Sequence, residues 1–186
     1  MDKKNLLVLV TGSVGASNVD TYLYYIKKFY NVKVILSENS KKFISKELIS
    51  YFCDKVYDEI FVEEVVPHVF LPYESDLLLI LPATANVIGK IANGIADDLV
   101  TATVLNFNKK KLIFCPNMNS TMWDNHIVQR NVSILKELGH IFLFESKKTY
   151  EVGLRKAIDS TCSMLQPQSL VKELIKLENI VLEEGH

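Results

Sequence analysis

The sequence is poor in cysteine, and the few cysteines that it has exclude two common kinds of site. There are three, Cys53, Cys115 and Cys162, and none stands at a metal-ligand spacing from another. An odd number without such spacing predicts neither a disulfide framework nor a zinc centre, and it fits a reducing compartment. We therefore expect no metal, and we expect Cys53 and Cys115 to lie in the core.

The sequence also lacks a charge excess and long apolar runs. Its 21 basic and 22 acidic side chains leave a net charge of -1, which provides no electrostatic footprint for nucleic acid. The longest apolar runs are too short to span a bilayer. The run that follows Met1–Asn5 meets Thr-Gly-Ser too soon to be a signal peptide. These absences predict a cytoplasmic protein that binds neither nucleic acid nor membrane.

What the sequence does contain is a regular alternation of strand-like and helix-like segments. Its 186 residues favour one domain, which we expect to cover residues 1–186. The alternation predicts a single-domain α/β fold, Rossmann-like (flavodoxin-like), with a doubly wound, mainly parallel sheet. The predicted strands are Leu6–Val10, Val32–Leu36, Val56–Val62, Leu77–Leu81, Leu112–Cys115 and Ile141–Phe144.

We expect the fold to be organised around Asp76–Leu105. A strand buried on both faces, Leu77–Leu81, runs into the small residues of Pro82–Asn86. One long helix should follow, with Ile95 and Leu99 on its apolar face. Ligands of open α/β sheets bind at such a strand-to-helix edge, against helix N-termini. The segment therefore predicts a site for a flat, polar-edged cofactor, and tight helix packing without a ligand is the alternative.

A second strand–turn–helix unit begins the chain. Its turn contains Gly12 and Ser13, and the apolar face of its helix includes Phe29. Backbone N–H groups and the serine hydroxyl can hold a phosphate there. The full dinucleotide fingerprint is absent, because no acidic residue ends the next strand. Ser37 and Ser40 follow that strand instead, which favours a mononucleotide such as FMN over NAD; plain helix capping is the alternative.

Four loops should meet at the carboxyl edge of this sheet: Gly12–Asn18, Ser37–Ser40, Pro82–Asn86 and Pro116–Trp123. Within them, Asn86 and Asn119 offer amides that can bind a ring edge or a carboxylate. Met118 and Met122 offer polarizable surface to an aromatic ring. Trp123 is expected to serve packing.

His68 is the best candidate for a general base, because the pKa of histidine lies near neutrality. It falls in a predicted loop at Val65–Val69. A structural or merely exposed histidine is the alternative.

Two motifs resemble those of a known family. Pro82–Asn86, PATAN, is similar to the motif PASAN(T), and Pro116–Trp123, PNMNSTMW, fits the motif PxMNxxMW. Both are typical of the homo-oligomeric flavin-containing cysteine decarboxylases, as is Lys90–Leu99. The resemblance extends from residue 6 to about residue 144. It is strongest to the lantibiotic-type peptidyl-cysteine decarboxylases, the epidermin and mersacidin group, through Phe52–Asp54 and Val56–Glu59.

This resemblance implies an enzyme that uses FMN. Its reaction would be the oxidative decarboxylation of the C-terminal cysteine of a lantibiotic or other RiPP precursor peptide to an aminoenethiol. A hydride would pass from the cysteine β-carbon to the flavin, and carbon dioxide would then leave the α-carbon. The resemblance gives His68 the role of base for the thiol proton. It gives Asn119 the role of holding the substrate carboxylate.

The resemblance also implies the remaining site residues. Gly94 is expected to allow close helix approach near the flavin. Residues 145–166, predicted as a long irregular loop, match the position of the family's substrate clamp. The implied FMN contacts are Gly12, Ser13, Ser37, Ser40, Thr84, Ala85, Asn86 and Met118. The implied substrate contacts are Asn119, Met122, Tyr150, Glu151 and Val152.

The resemblance further implies a homo-oligomer, a trimer or four trimers in a dodecamer, with sites between subunits. Two alternatives stay open. One is phosphopantothenoylcysteine decarboxylase of coenzyme A biosynthesis, which carries a cysteine in the clamp. The matching region here, Thr149–Arg155, has none, and Cys162 comes too late. The other is a flavin-binding regulatory subunit without turnover.

Overall fold

The centre of the fold is a parallel sheet of six strands. The structure, a computed structural model, describes residues 3–62, 65–107 and 111–183. The strands pair in the order β3-β2-β1-β4-β5-β6, every neighbouring pair is parallel, and the predicted α/β fold class is confirmed. They are β1 (Asn5–Val10), β2 (Asn31–Leu36), β3 (Lys55–Tyr57), β4 (Leu77–Ala83), β5 (Leu112–Pro116) and β6 (Ile141–Phe142).

Helices cover both faces of this sheet. Short 3-10 turns at Val14–Asn18 and Ser40–Lys42 follow β1 and β2. The described α-helices are α1 (Val19–Ile26), α2 (Lys46–Ser50), α3 (Pro67–Glu74), α4 (Ala85–Ala92), α5 (Leu99–Leu105), α6 (Ser120–Trp123), α7 (His126–Glu137) and α8 (Pro167–Glu183). None of these described helices is both long and apolar enough to cross a membrane.

The strand β4 is buried along its whole length, because alternate side chains enter two separate cores. Leu79 joins the core on the side of α1 and α8, while Ile80 joins the core on the side of α3, α4, α5 and α7. The strand order reverses between β1 and β4, and a crevice opens there at the carboxyl ends of the strands.

Several local expectations are wrong. The long helix predicted after Thr84 is two helices, α4 and α5, because Gly94 adopts φ +68° and Asp98 caps a new start. Ile95 falls in the break and is exposed. Phe29 lies beyond the end of α1 and is also exposed, so neither side chain contributes to a buried face.

Two segments predicted to be irregular are ordered. Residues 145–166 contain an antiparallel ribbon of β7 (Glu145–Glu151) and β8 (Lys156–Ser163), for which we keep the name clamp segment. The predicted loop at Val65–Val69 contains the start of α3, which begins with Pro67 at a position suited to proline.

Candidate active site

A cavity of about 480 Å³ lies at the carboxyl ends of β1, β2, β4 and β5. The loops after these strands supply its lining, as the sequence predicted. We call it the first cavity. Of the predicted site residues, the following line it: Gly12, Ser13, Ser37, Thr84, Ala85, Asn86, Met118 and Met122.

The N-terminus of α4 opens into the first cavity. Thr84 is its N-cap, and the threonine Oγ1 accepts a hydrogen bond from the Val87 N–H at 3.2 Å. The Thr84 N–H donates in turn to Thr11 Oγ1 at 3.3 Å, which ties this turn to the loop after β1. The N–H groups of Ala85 and Asn86 precede the first donor of the helix ladder, the Ile88 N–H, which donates to the Thr84 carbonyl oxygen at 3.0 Å. They are therefore available to a ligand in the cavity.

Gly12 lies where the loops after β1 and β2 approach each other closely. A Cβ atom at this position would lie 2.4 Å from Asn39 Cβ and 2.8 Å from the Asn39 carbonyl carbon. Ser37 begins the turn that contains Asn39 and lines the cavity, and its Oγ accepts from the Ser40 N–H at 3.2 Å. The loops after β1 and β2 thus form one continuous corner, with backbone and hydroxyl groups of a size and polarity suited to a phosphate.

Ser40 does not contact this cavity. Its side chain is fully buried, and its Oγ donates to the Ser37 carbonyl oxygen at 2.7 Å. The expectation of direct cofactor contact is corrected: Ser40 holds the turn that presents Ser37. Helix capping does not describe Ser40 either, because its hydroxyl donates to a carbonyl oxygen, whereas a capping side chain accepts from a helix N–H.

A second cavity, of about 430 Å³, adjoins the first. It lies between the loops after β1 and β5 and the clamp segment, and Asn119, Tyr150, Glu151 and Val152 all line it. The structure therefore brings together four of the five predicted substrate residues. Met122, the fifth, lines the first cavity instead.

The two cavities share a wall of three residues, Ser13, Asn117 and Met118. Asn117 holds this wall together. Its Oδ1 accepts from Ser13 Oγ at 2.9 Å and from the Gly15 N–H at 3.3 Å, and its own N–H donates to the Ala83 carbonyl oxygen at 3.0 Å. The sequence analysis missed this residue, although its amide stands beside Met118 in the same motif.

A charged group in the first cavity was also missed. Lys90 Nζ lies 2.7 Å from Asp97 Oδ1 and 3.0 Å from Asp98 Oδ2. The hydrogen bond that Lys90 donates to Asp97 raises the pKa of Lys90, which is therefore a cation on this wall at neutral pH. Burial acts to raise the pKa of Asp98, but the hydrogen bonds from the Thr101 N–H and Lys90 outweigh it, so that the pKa of Asp98 is lowered.

His68 lies apart from both cavities within one chain. It is the second residue of α3, and its carbonyl oxygen accepts from Asn106 Nδ2 at 3.1 Å. Its Nδ1 is buried and has no hydrogen-bond partner among the residues that the structure describes. The structure thus does not bring His68 and Asn119 together in a single subunit.

Cys162 comes too late in the sequence to match the clamp cysteine, but the structure places it in the lining of the second cavity. Its side chain is buried, and burial, followed by the charge of Asp124, raises the pKa of the Cys162 thiol to about 12. The group is therefore a neutral thiol at physiological pH. All three cysteines are buried and unpaired, so Cys53 and Cys115 are confirmed as core residues.

Comparison with known proteins agrees with this geometry. The chain is 33% identical over 178 residues to epidermin decarboxylase of Staphylococcus epidermidis, covering 95% of this chain and 93% of the relative. It is 38% identical over 142 residues to mersacidin decarboxylase of Bacillus sp. (strain HIL-Y85/54728), covering 75% and 73%. A probable phosphopantothenoylcysteine decarboxylase of Streptococcus mutans is 32% identical over 143 residues, covering 74% and 80%.

A solved structure is similar over nearly its whole length. It is a histidine-to-asparagine variant of EpiD in complex with the substrate peptide DSYTC. The TM-score is 0.84 at 31% identity, covering 92% of this chain and 98% of that one. The family named Flavoprotein matches residues 1–179. The chain therefore belongs to the Flavoprotein family, among relatives that are cysteine decarboxylases.

Proposed function

We propose that this protein binds FMN in the first cavity and oxidatively decarboxylates the C-terminal cysteine of a peptide held in the second. The observation that carries the proposal is the shared wall: of the described residues, Ser13, Asn117 and Met118 line both cavities, which therefore lie side by side. A substrate in one cavity can thus react with a cofactor in the other. The peptide would be a lantibiotic or other RiPP precursor, as for the epidermin and mersacidin relatives.

The residues of the first cavity fit FMN. Its corner at Gly12 and Ser37 suits a phosphate, and the free N–H groups of Ala85 and Asn86 suit the polar edge of a flat ring. Met118 adds polarizable surface at the shared wall. When bound, FMN supplies the capacity to accept a hydride from the cysteine β-carbon, which no side chain of the protein can do.

In the second cavity, Asn119 is placed to hold the substrate carboxylate. Its Oδ1 accepts from the Thr121 N–H at 2.8 Å, which fixes the orientation of the amide. The Nδ2 donors of Asn119 then remain for an anionic group in the cavity. Tyr150, Glu151 and Val152 lie on the other side and would hold the peptide, so that the terminal cysteine is fixed beside the shared wall.

We propose that the base, His68, is contributed by a neighbouring subunit. Exposed apolar side chains surround α3: Phe61, Val65, Val69, Tyr73 and Leu105. Contact between copies of the chain through this surface, in a trimer or a dodecamer of trimers, would bury it and carry His68 toward the cavities of a neighbour. The neutral imidazole would then accept the thiol proton of the substrate.

A second candidate is phosphopantothenoylcysteine decarboxylation, in which carbon dioxide is lost without net oxidation. The position of Cys162 in the second cavity favours it, because the neutral thiol could return a proton to the product. The relatives from coenzyme A biosynthesis are nearly as similar to the chain as the peptidyl enzymes. The clamp turn, however, has no cysteine between Thr149 and Arg155.

Product masses separate the two candidates. The purified holoprotein is incubated with a short peptide ending in cysteine and, separately, with phosphopantothenoylcysteine. Loss of carbon dioxide and two hydrogen atoms from the peptide supports the proposal. Loss of carbon dioxide alone from phosphopantothenoylcysteine, with the peptide unchanged, would replace it by the second candidate.

A further inference from the structure

The described lining of the second cavity carries a negative charge. Among the described residues that line it, Glu151 is the only one with a charged side chain, and the others are polar or apolar. Glu151 is half-buried on β7 and lies at the end of the strand, before the turn that leads into β8. A substrate in the cavity would therefore meet a carboxylate and, within the described lining, no cation.

The clamp segment contains four basic residues, Lys147, Lys148, Arg155 and Lys156, and none of them lines the second cavity. Lys147 is engaged elsewhere, since its Nζ lies 2.5 Å from Glu145 Oε1 and donates to the Met164 carbonyl oxygen at 3.2 Å. Lys156 is the register partner of Glu151 across the ribbon, but its side chain is exposed and does not line the cavity. In the described part of the chain, neither lysine forms an ion pair with Glu151.

We infer that Glu151 selects the substrate by charge: it favours peptides whose residues just before the terminal cysteine are cationic or neutral and disfavours acidic ones. The inference rests on the proposed function, because it concerns what occupies the second cavity. A like charge beside Glu151 would be repelled in a partly enclosed space, whereas a lysine would be attracted. Glu151 is thus a specificity-determining residue that takes no part in the chemistry.

The test measures peptide binding separately from turnover. Tetrapeptides that end in cysteine carry lysine, glutamine or glutamate at each of the preceding positions in turn. Their dissociation constants are measured by calorimetry with the FMN-loaded His68→Asn variant, in which the chemistry should be blocked. The same series is measured after adding Glu151→Gln or Glu151→Lys. The spectrum of the bound flavin reports that each variant is folded.

The expected result is a preference of about fivefold for the lysine peptide over the glutamate peptide at one or more positions. Glu151→Gln should abolish the preference, and Glu151→Lys should reverse it. Both effects should shrink at high salt. Asp159→Lys is the matched control, because Asp159 is an exposed carboxylate on β8 outside the second cavity. Reversing its charge should leave the ratio of the dissociation constants of the lysine and glutamate peptides unchanged.

The possible failures are distinct. Binding of the glutamine peptide without a charge preference, or a preference that persists in Glu151→Lys, overturns the inference and leaves the proposed function standing. Failure of all the peptides to bind the holoprotein overturns both. In a homo-oligomer each substitution changes position 151 in every subunit and leaves all other charges the same, so the difference between variants reports position 151.

Discussion

The hydroxyl of Ser13 donates a hydrogen bond of 2.9 Å to the side-chain oxygen of Asn117. This contact joins the loop after β1 to the loop after β5 at the wall that the two cavities share. The same oxygen accepts from the Gly15 N–H, and a Cβ atom at Gly15 would lie 2.7 Å from it. A single amide oxygen thus ties together two loops that line both cavities.

Asn117→Ala should loosen this wall without unfolding the protein. It removes the acceptor of two hydrogen bonds, which corresponds to about 1–3 kcal/mol. We expect weaker FMN binding and a lower kcat with peptide, because the reacting groups are no longer held in register. Flavin fluorescence and steady-state kinetics measure the two effects. Asn93→Ala, which changes an exposed asparagine outside both cavities, should leave both values unchanged.

Gly12→Ala should impair FMN binding by at least about tenfold. The added methyl group would meet Asn39 Cβ at 2.4 Å, so the turn after β2 must move, at a cost of about 1–3 kcal/mol. Equilibrium dialysis with FMN gives the affinity. Unchanged affinity would show that the corner between these loops is not where the phosphate binds.

Gly94→Ala provides the contrast. A Cβ atom at Gly94 has no neighbour within 4 Å among the described residues, so packing inside the chain does not require this glycine. Its φ of +68° requires glycine for the turn between α4 and α5. Thermal unfolding should show a loss of about 1 kcal/mol, while the affinity of the folded protein for FMN should be retained.

Asp98 should contribute to the acid sensitivity of the protein. Its pKa in the folded state is lowered, below the unfolded value of about 3.9. Its stabilisation is therefore complete above the unfolded pKa and is lost as the pH falls through the folded pKa. Asp98→Asn keeps an oxygen acceptor for the N-cap of α5 but removes the charge. Urea unfolding at pH 7 and pH 3 should show a smaller difference in stability for the variant than for the wild type.

Val69→Asp should dissociate the proposed oligomer and abolish turnover. The side chain lies on α3 next to His68, within the exposed apolar surface. A buried carboxylate at a subunit contact would be destabilising. Light scattering gives the mass in solution, and product formation is followed in parallel. Tyr51→Asp, at a side chain that is 81% exposed and lies on another part of the surface, is the control and should change neither property.

Much of the architecture follows from local patterns in the sequence. β1, β2, β4 and β5 are buried apolar runs with polar loops at one end, and such runs predict a parallel sheet with a ligand at that edge. Most of the predicted cofactor contacts line the first cavity for this reason. Ser40 is the exception, because a sequence does not show whether a hydroxyl faces the ligand or its own turn.

The remaining features depend on contacts between distant segments. Asn117 becomes important only when the loops after β1 and β5 meet, 102 residues apart. The clamp segment has no apolar periodicity, because both of its strands are partly exposed. Its ribbon structure comes from the antiparallel pairing of β7 with β8. Cys162 lies too far along the sequence to match a clamp motif, but it lies on β8, which places its side chain in the lining of the second cavity.

Decarboxylation should be coupled to oxidation of the substrate, and an anaerobic single-turnover experiment measures this coupling. The FMN-loaded protein is mixed without oxygen with an excess of peptide ending in cysteine, while the flavin absorbance and released carbon dioxide are followed. We expect the flavin to bleach and one carbon dioxide to be released for each flavin reduced. Carbon dioxide release over many turnovers with the flavin still oxidised would contradict it.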